Sequence, residues 1–192
     1  MNKPKAAVFA SGTGSNFQAI MEQDDLNCDV VLLVCDQPGA SVIEIAEKHS
    51  IPTVVFQAKE YSDKRAYEEM LVSKLEEADV RWIFLAGYMR IVGETLLHVF
   101  EKQIVNIHPS YLPDFPGKDA IGQAFRAGVN QTGVTVHYID EGIDTGPIIA
   151  QVEVEVLPED TEDMLKKRIQ QAEHSLYPQV INQLIKNEKS EG

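Results

Sequence analysis

The sequence predicts an α/β protein, with a Rossmann-like, mostly parallel central sheet flanked by helices and an antiparallel C-terminal addition. Three observations predict it. Short apolar runs alternate with helical stretches through the first half, as in successive βαβ units. One run, Asp29-Val30-Val31-Leu32-Leu33-Val34-Cys35, is apolar at consecutive positions, as expected for a strand buried on both faces. Towards the C-terminus two β-rich segments follow one another with only a glycine-containing loop between them, the pattern of antiparallel neighbours.

The elements follow in order. Residues 6–10 form the first strand, and Ser11-Gly12-Thr13-Gly14-Ser15-Asn16 turns the chain into a helix over residues 16–23. Ser15 with Gln18 fits a capping box there. Strands at 29–35, 53–56 and 81–85 alternate with helices at 41–49 and 62–77. Residues 103–106 make another strand, and a loop through Pro109, Pro113 and Pro116 leads to a short helix at 120–127. The β-rich segments are 132–139 and 147–156, joined by the loop 140–146. The chain closes on an amphipathic stretch over 162–186, which Pro178 is expected to kink or interrupt. No repeat, low-complexity tract or linker divides the 192 residues, so 1–192 is expected to be a single domain.

Composition narrows the function. A net charge of −13 argues against a nucleic-acid partner, because phosphate neutralisation needs a basic face. An anionic substrate would have to meet locally placed basic groups. Cys28 and Cys35 read as small buried hydrophobes in a reduced compartment, and neither a membrane span nor a signal peptide is evident. A cytoplasmic enzyme without a membrane partner is the expectation.

Two places carry chemistry. Glycines in the first turn let backbone N–H groups approach an anion, which suits a phosphate on Gly14, Ser15 and Asn16. A dinucleotide motif would need glycine at 17, where Phe17 stands, although Asp36 could imitate the ribose-binding acid. A tight turn with no ligand also fits. The second place is Asn106-Ile107-His108-Pro109-Ser110, followed later by Asp140-Glu141-Gly142-Ile143-Asp144-Thr145-Gly146. Asn106 and His108 are two apart and share one side of a strand. Acyl transfer to an amine needs a donor for the developing oxyanion, a group that moves protons, and a carboxylate that supports a protonated histidine. Asn106, His108 and Asp144 supply these groups. No nucleophile elbow is present, so direct transfer fits better than a covalent intermediate. No metal-ligand spacing is evident. His49, His98, His137 and His174 read as packed or surface residues.

Six segments together resemble the phosphoribosylglycinamide formyltransferases, folate-dependent enzymes of purine synthesis, over nearly the whole chain. They are Ser11-Gly12-Thr13-Gly14-Ser15-Asn16, Leu85-Ala86-Gly87-Tyr88-Met89-Arg90-Ile91, Asn106-Ile107-His108-Pro109-Ser110, Gly133-Val134-Thr135-Val136-His137, Asp144-Thr145-Gly146-Pro147 and Gln170-Gln171-Ala172-Glu173-His174. The resemblance implies formyl transfer from 10-formyltetrahydrofolate to glycinamide ribonucleotide, two small-molecule substrates, no metal, and a monomer or homodimer. It implies that Gly14, Ser15, Asn16, Gln170 and Glu173 bind the nucleotide and that Asn106, His108 and Asp144 are catalytic. For the folate it implies Met89, Arg90, Ile91 and Val92, with Asn106, Asp140, Glu141 and Asp144. A basic folate contact falls on Lys64 by spacing, with Arg65 as the alternative, where an arginine is usual in the family. Related tRNA formyltransferases and formyltetrahydrofolate hydrolases carry a further domain, for which 192 residues are expected to leave no room.

Overall fold

In the computed structural model, which describes residues 2–192, seven strands form one sheet. They are β1 (Lys5–Ala10), β2 (Asp29–Cys35), β3 (Thr53–Val55), β4 (Trp82–Leu85), β5 (Ile104–His108), β6 (Gln131–Tyr138) and β7 (Ile148–Glu155). Their order is β3-β2-β1-β4-β5-β6-β7. The first five are mutually parallel, and β6 and β7 add antiparallel. This is the mostly parallel sheet with an antiparallel C-terminal addition that the sequence predicts.

Alternation along the strands sorts the core into two layers. In β1, Ala6, Val8 and Ala10 face one cluster, and Ala7 and Phe9 face the other. The first cluster is covered by α1 (Ser15–Met21), α2 (Ser41–Lys48), α5 (Ala120–Ala127) and α6 (Glu162–Glu191). The second is covered by α3 (Lys64–Glu77) and α4 (Glu94–Val99). Burial on both faces is why the central strands β1, β2 and β4 read as apolar runs.

Three expectations change. There is no capping box at α1: Gly14 is the cap residue, in the left-handed region at φ 78°, and Ser15 already lies inside the helix. The glycine turn makes the entry, with Gln18 N donating to Gly14 O at 2.8 Å. Pro178 does not end α6, which runs through it as one helix of 30 residues. Proline removes one bond, to the carbonyl four residues back. The neighbouring Tyr177 anchors that turn, fully buried, with its hydroxyl donating to Leu85 O at 2.8 Å. Finally β5 runs on to His108, two residues beyond the predicted end, which places Asn106 and His108 on one regular strand.

Candidate active site

The sheet order reverses between β1 and β4, and in such sheets ligands bind outside the carboxyl ends of the strands at that point. The residues singled out above gather at that edge. Ser11 to Gly14 follow β1, Asp36 follows β2, Gly87 to Val92 follow β4, and Asn106 and His108 end β5.

Register builds one corner of the candidate site. In the β5–β6 ladder Asn106 lies opposite His137, and His108 lies opposite Thr135. Val105, Ile107, Val134 and Val136 fill the first core cluster, so Asn106, His108 and His137 share the opposite face. The His108 ring is buried, with Nε2 2.9 Å from Phe115 O and Nδ1 3.5 Å from Asp144 Oδ2. Both neighbours are acceptors, so only the doubly protonated ring can donate to both.

Two loops deliver those acceptors. Phe115 and Asp144 both adopt left-handed backbone, at φ 51° and 54°. Asp is one of the few residues enriched there. Asp140 Oδ1 ties the second loop together, accepting from Gly142 N at 2.9 Å and from Thr145 Oγ1 at 2.8 Å. A Cβ on Gly146 would run into the Tyr138 carbonyl, so the return of this loop to the sheet requires glycine. Across the gap, Gly117 N donates to Asp144 Oδ2 at 2.7 Å. Burial alone would raise the Asp144 carboxyl. The His137 ring beside it, the hydrogen bond from Gly117 N and the nearby His108 ring outweigh it and hold the group below the usual carboxylate range.

At the other end, Gly12 leaves open space where a side chain would stand. Gly14 could not carry one, because its Cβ would lie 2.7 Å from Val42 Cγ2. Asn16 and Glu173 face each other in the buried layer between α1 and α6, with Gln170 half-buried one turn earlier. Burial pushes the Glu173 carboxyl up to about 7, and the Asn16 side chain offsets only part of that rise.

A family model described as "Formyl transferase" matches residues 4–181. The chain belongs to the formyl transferase family. It is 52% identical over 184 residues to "Phosphoribosylglycinamide formyltransferase" of Bacillus subtilis, covering 94% of each chain. It is 39% identical to the Drosophila melanogaster "Trifunctional purine biosynthetic protein adenosine-3", where the match spans 95% of this chain and 14% of the fly protein. The crystal structure of glycinamide ribonucleotide transformylase 1 from Geobacillus kaustophilus superposes with a TM-score of 0.93 at 55% identity, over 96% of this chain and all of that one.

The residues implied for folate in this formyl transferase fall into two groups. Met89 and Ile91 are exposed (67% and 55%), which leaves their apolar surface open to a ligand, whereas Val92 is buried in the second core cluster. Arg90 pairs with Asp36 at 2.9 Å, and its guanidinium lies 5.8 Å over the Tyr67 ring. Lys64 Nζ donates to Ile91 O at 2.8 Å, so it holds this segment in shape, while Arg65 pairs with Glu69. Asp140 and Glu141 line a cavity of about 1030 Å³ together with Glu94, Leu97 and Tyr138. Neither Met89 nor Asn106 reaches that cavity. Among the described residues, no group of three His, Cys, Asp or Glu could hold a metal ion, and no helix is long and apolar enough to cross a membrane.

Two residues were undervalued by sequence reasoning. His137, read as packed or surface, is fully buried, but its ring also faces Asn106 and Asp144. Nδ1 lies 2.8 Å from Tyr138 O, which fixes a proton on that nitrogen. Nε2 then accepts from Asn106 Nδ2 at 3.4 Å in the neutral ring, with Asp144 Oδ1 at 3.6 Å. The ring thereby orients the Asn106 amide and leaves its second N–H free. The pairing of strands was the missing signal: opposite Asn106, a polar residue on the same face has to be functional or satisfied. Asp36 is the other. It is buried and occupied by protein partners, so it cannot serve as a ribose-binding acid.

Proposed function

We propose that this chain transfers the formyl group of 10-formyltetrahydrofolate to the amine of glycinamide ribonucleotide, giving formylglycinamide ribonucleotide and tetrahydrofolate, in the making of purines. One observation carries the reading: Asn106 and His108 stand side by side at the end of β5 with the Asp144 carboxylate at ion-pair distance. The named relatives support the choice of substrates.

In this reading the substrate amine attacks the formyl carbon, the bond from that carbon to the folate nitrogen breaks, and one proton passes from the amine to that nitrogen. The free N–H of Asn106 and the protonated His108 ring stabilise negative charge developing on the formyl oxygen. Asp144 lies at ion-pair distance from that ring and accepts or relays the proton. Backbone N–H groups at Gly14, Ser15 and Asn16 hold the ribonucleotide phosphate, and Gln170 and Glu173 meet its sugar end. Met89 to Val92, Asn106 and the 140–144 loop contact the folate, with Lys64 supporting that segment from behind.

The whole chain acts as one catalytic domain, in the cytoplasm, as a monomer or homodimer, on small molecules alone. The test is direct. The purified protein is incubated with glycinamide ribonucleotide and 10-formyltetrahydrofolate, and the product is followed by mass. One formylated ribonucleotide should form for each tetrahydrofolate released. Consumption of the folate without a formylated acceptor would point to hydrolysis and overturn the reading.

A further inference from the structure

Asp36 contacts neither catalytic loop, yet it is a carboxylate 2% exposed at the carboxyl end of β2. One oxygen accepts from Ser11 Oγ, and the other accepts from Arg90 Nε at 2.9 Å. Ser11 Oγ in turn accepts from Met89 N at 2.9 Å, and Ser11 N donates to Gly87 O at 3.0 Å. Ser11 opens the glycine turn, whereas Met89 and Arg90 lie in the segment after β4. Three strand ends therefore meet on one buried charge. A carboxylate removed from water persists only with such partners, and charge-assisted bonds are the stronger ones.

The geometry points to Asp36 as a positioning residue that sets the nucleotide-side turn and the folate-side segment at a fixed distance from each other. This rests on the reading that residues 14–16 hold the ribonucleotide and residues 89–92 the folate. Acyl transfer between two bound substrates depends on their mutual placement, and small misplacements are costly. A tie common to both binding segments does what ties within each segment cannot, because it fixes the spacing between them. Glu68 and Lys64, by contrast, hold only the 91–93 side, through Gly93 N at 2.8 Å and Ile91 O.

The test uses Asp36→Asn, which keeps an acceptor for Ser11 but removes the charge facing Arg90. Amide hydrogen exchange reads positioning without any substrate. The Met89 amide should exchange about tenfold faster or more, and so should the Gln18 and Val42 amides, which donate to the Gly14 and Gly12 carbonyls. Steady-state kinetics should show kcat falling about tenfold or more, with KM for both substrates rising by a similar, smaller factor. Should Asp36→Asn fail to fold, Ser11→Ala carries the test with the same pattern at smaller size. Faster exchange on one side alone, or a KM change for one substrate alone, overturns the proposal. If the unmodified protein transfers no formyl group, the assigned function fails instead, and the exchange data still decide whether Asp36 ties the two segments.

Discussion

The ends of β1 and β4 and the ends of β5 and β6 build their parts of the site by different means. At β1 the chain offers backbone: a glycine turn, a left-handed Gly14 and the first N–H groups of α1. At β5 and β6 it offers side chains, each fixed by ladder register and by a loop partner. A phosphate carries the same charge before and after transfer, so contacts to it bind substrate and transition state alike. The formyl oxygen gains charge only as the reaction proceeds, and donors aimed at it act on the rate. Substitutions at the first region should therefore move KM, and those at the second should move kcat.

The largest effect should come from the second region. His108→Ala removes the ring that stabilises the formyl oxygen and that pairs with Asp144, and kcat should fall by about 10²–10⁴-fold with KM values little changed. Asn106→Ala removes one donor, and a loss of roughly 10²–10³ in kcat is expected. A near-normal kcat in a folded variant of either kind would break the comparison at its strongest point.

Gly14→Val probes the first region. The added side chain meets Val42 and must hold a left-handed backbone, which costs about 1–2 kcal/mol or more. The nucleotide KM should rise roughly tenfold, while the folate KM stays where it was. Equal rises in both would mean that the turn does not belong to the nucleotide alone.

The last effect leaves the chemical step aside and concerns stability. The Glu173 carboxyl is raised from 4.5 to about 7, so the folded chain binds its proton more tightly than the unfolded chain. The stabilising contribution of that proton is complete below pH 4.5 and is lost as pH rises through about 7. Glu173→Gln keeps a neutral group there at every pH. Relative to the unmodified protein it should gain roughly 2–3 kcal/mol between pH 5 and pH 8, seen as a Tm difference that widens with pH. A difference that does not change with pH would show that Glu173 is not held in a dry layer.

Legibility followed the same division. The central strands β1, β2 and β4 could be read because burial on both faces leaves apolar runs. The turn and the Asn106–His108 pair could be read because their spacing is local. Helix α4, only six residues long, gave no periodic signal, and the capping box failed because Gly14 had already made the entry. His137 and Asp36 escaped because their partners lie 31 and 54 residues away in sequence, at Asn106 and Arg90. Only the ladder register and the meeting of strand ends bring these pairs together. Of the kink or interruption expected at Pro178, the interruption was overridden by packing, since Tyr177 is buried and bonded to two strand carbonyls.

The central claim is that His108 and Asp144 act as one unit in the chemical step. Its most direct test is kcat for His108→Ala, Asp144→Asn and the double variant, measured at saturating substrates after each is shown to be folded. Residues that act together do not lose activity independently. The double variant should be within a few-fold of the worse single variant, because either change already disables the pair. If instead the two losses multiply, the groups act separately, and the 3.5 Å contact between them is not the basis of catalysis.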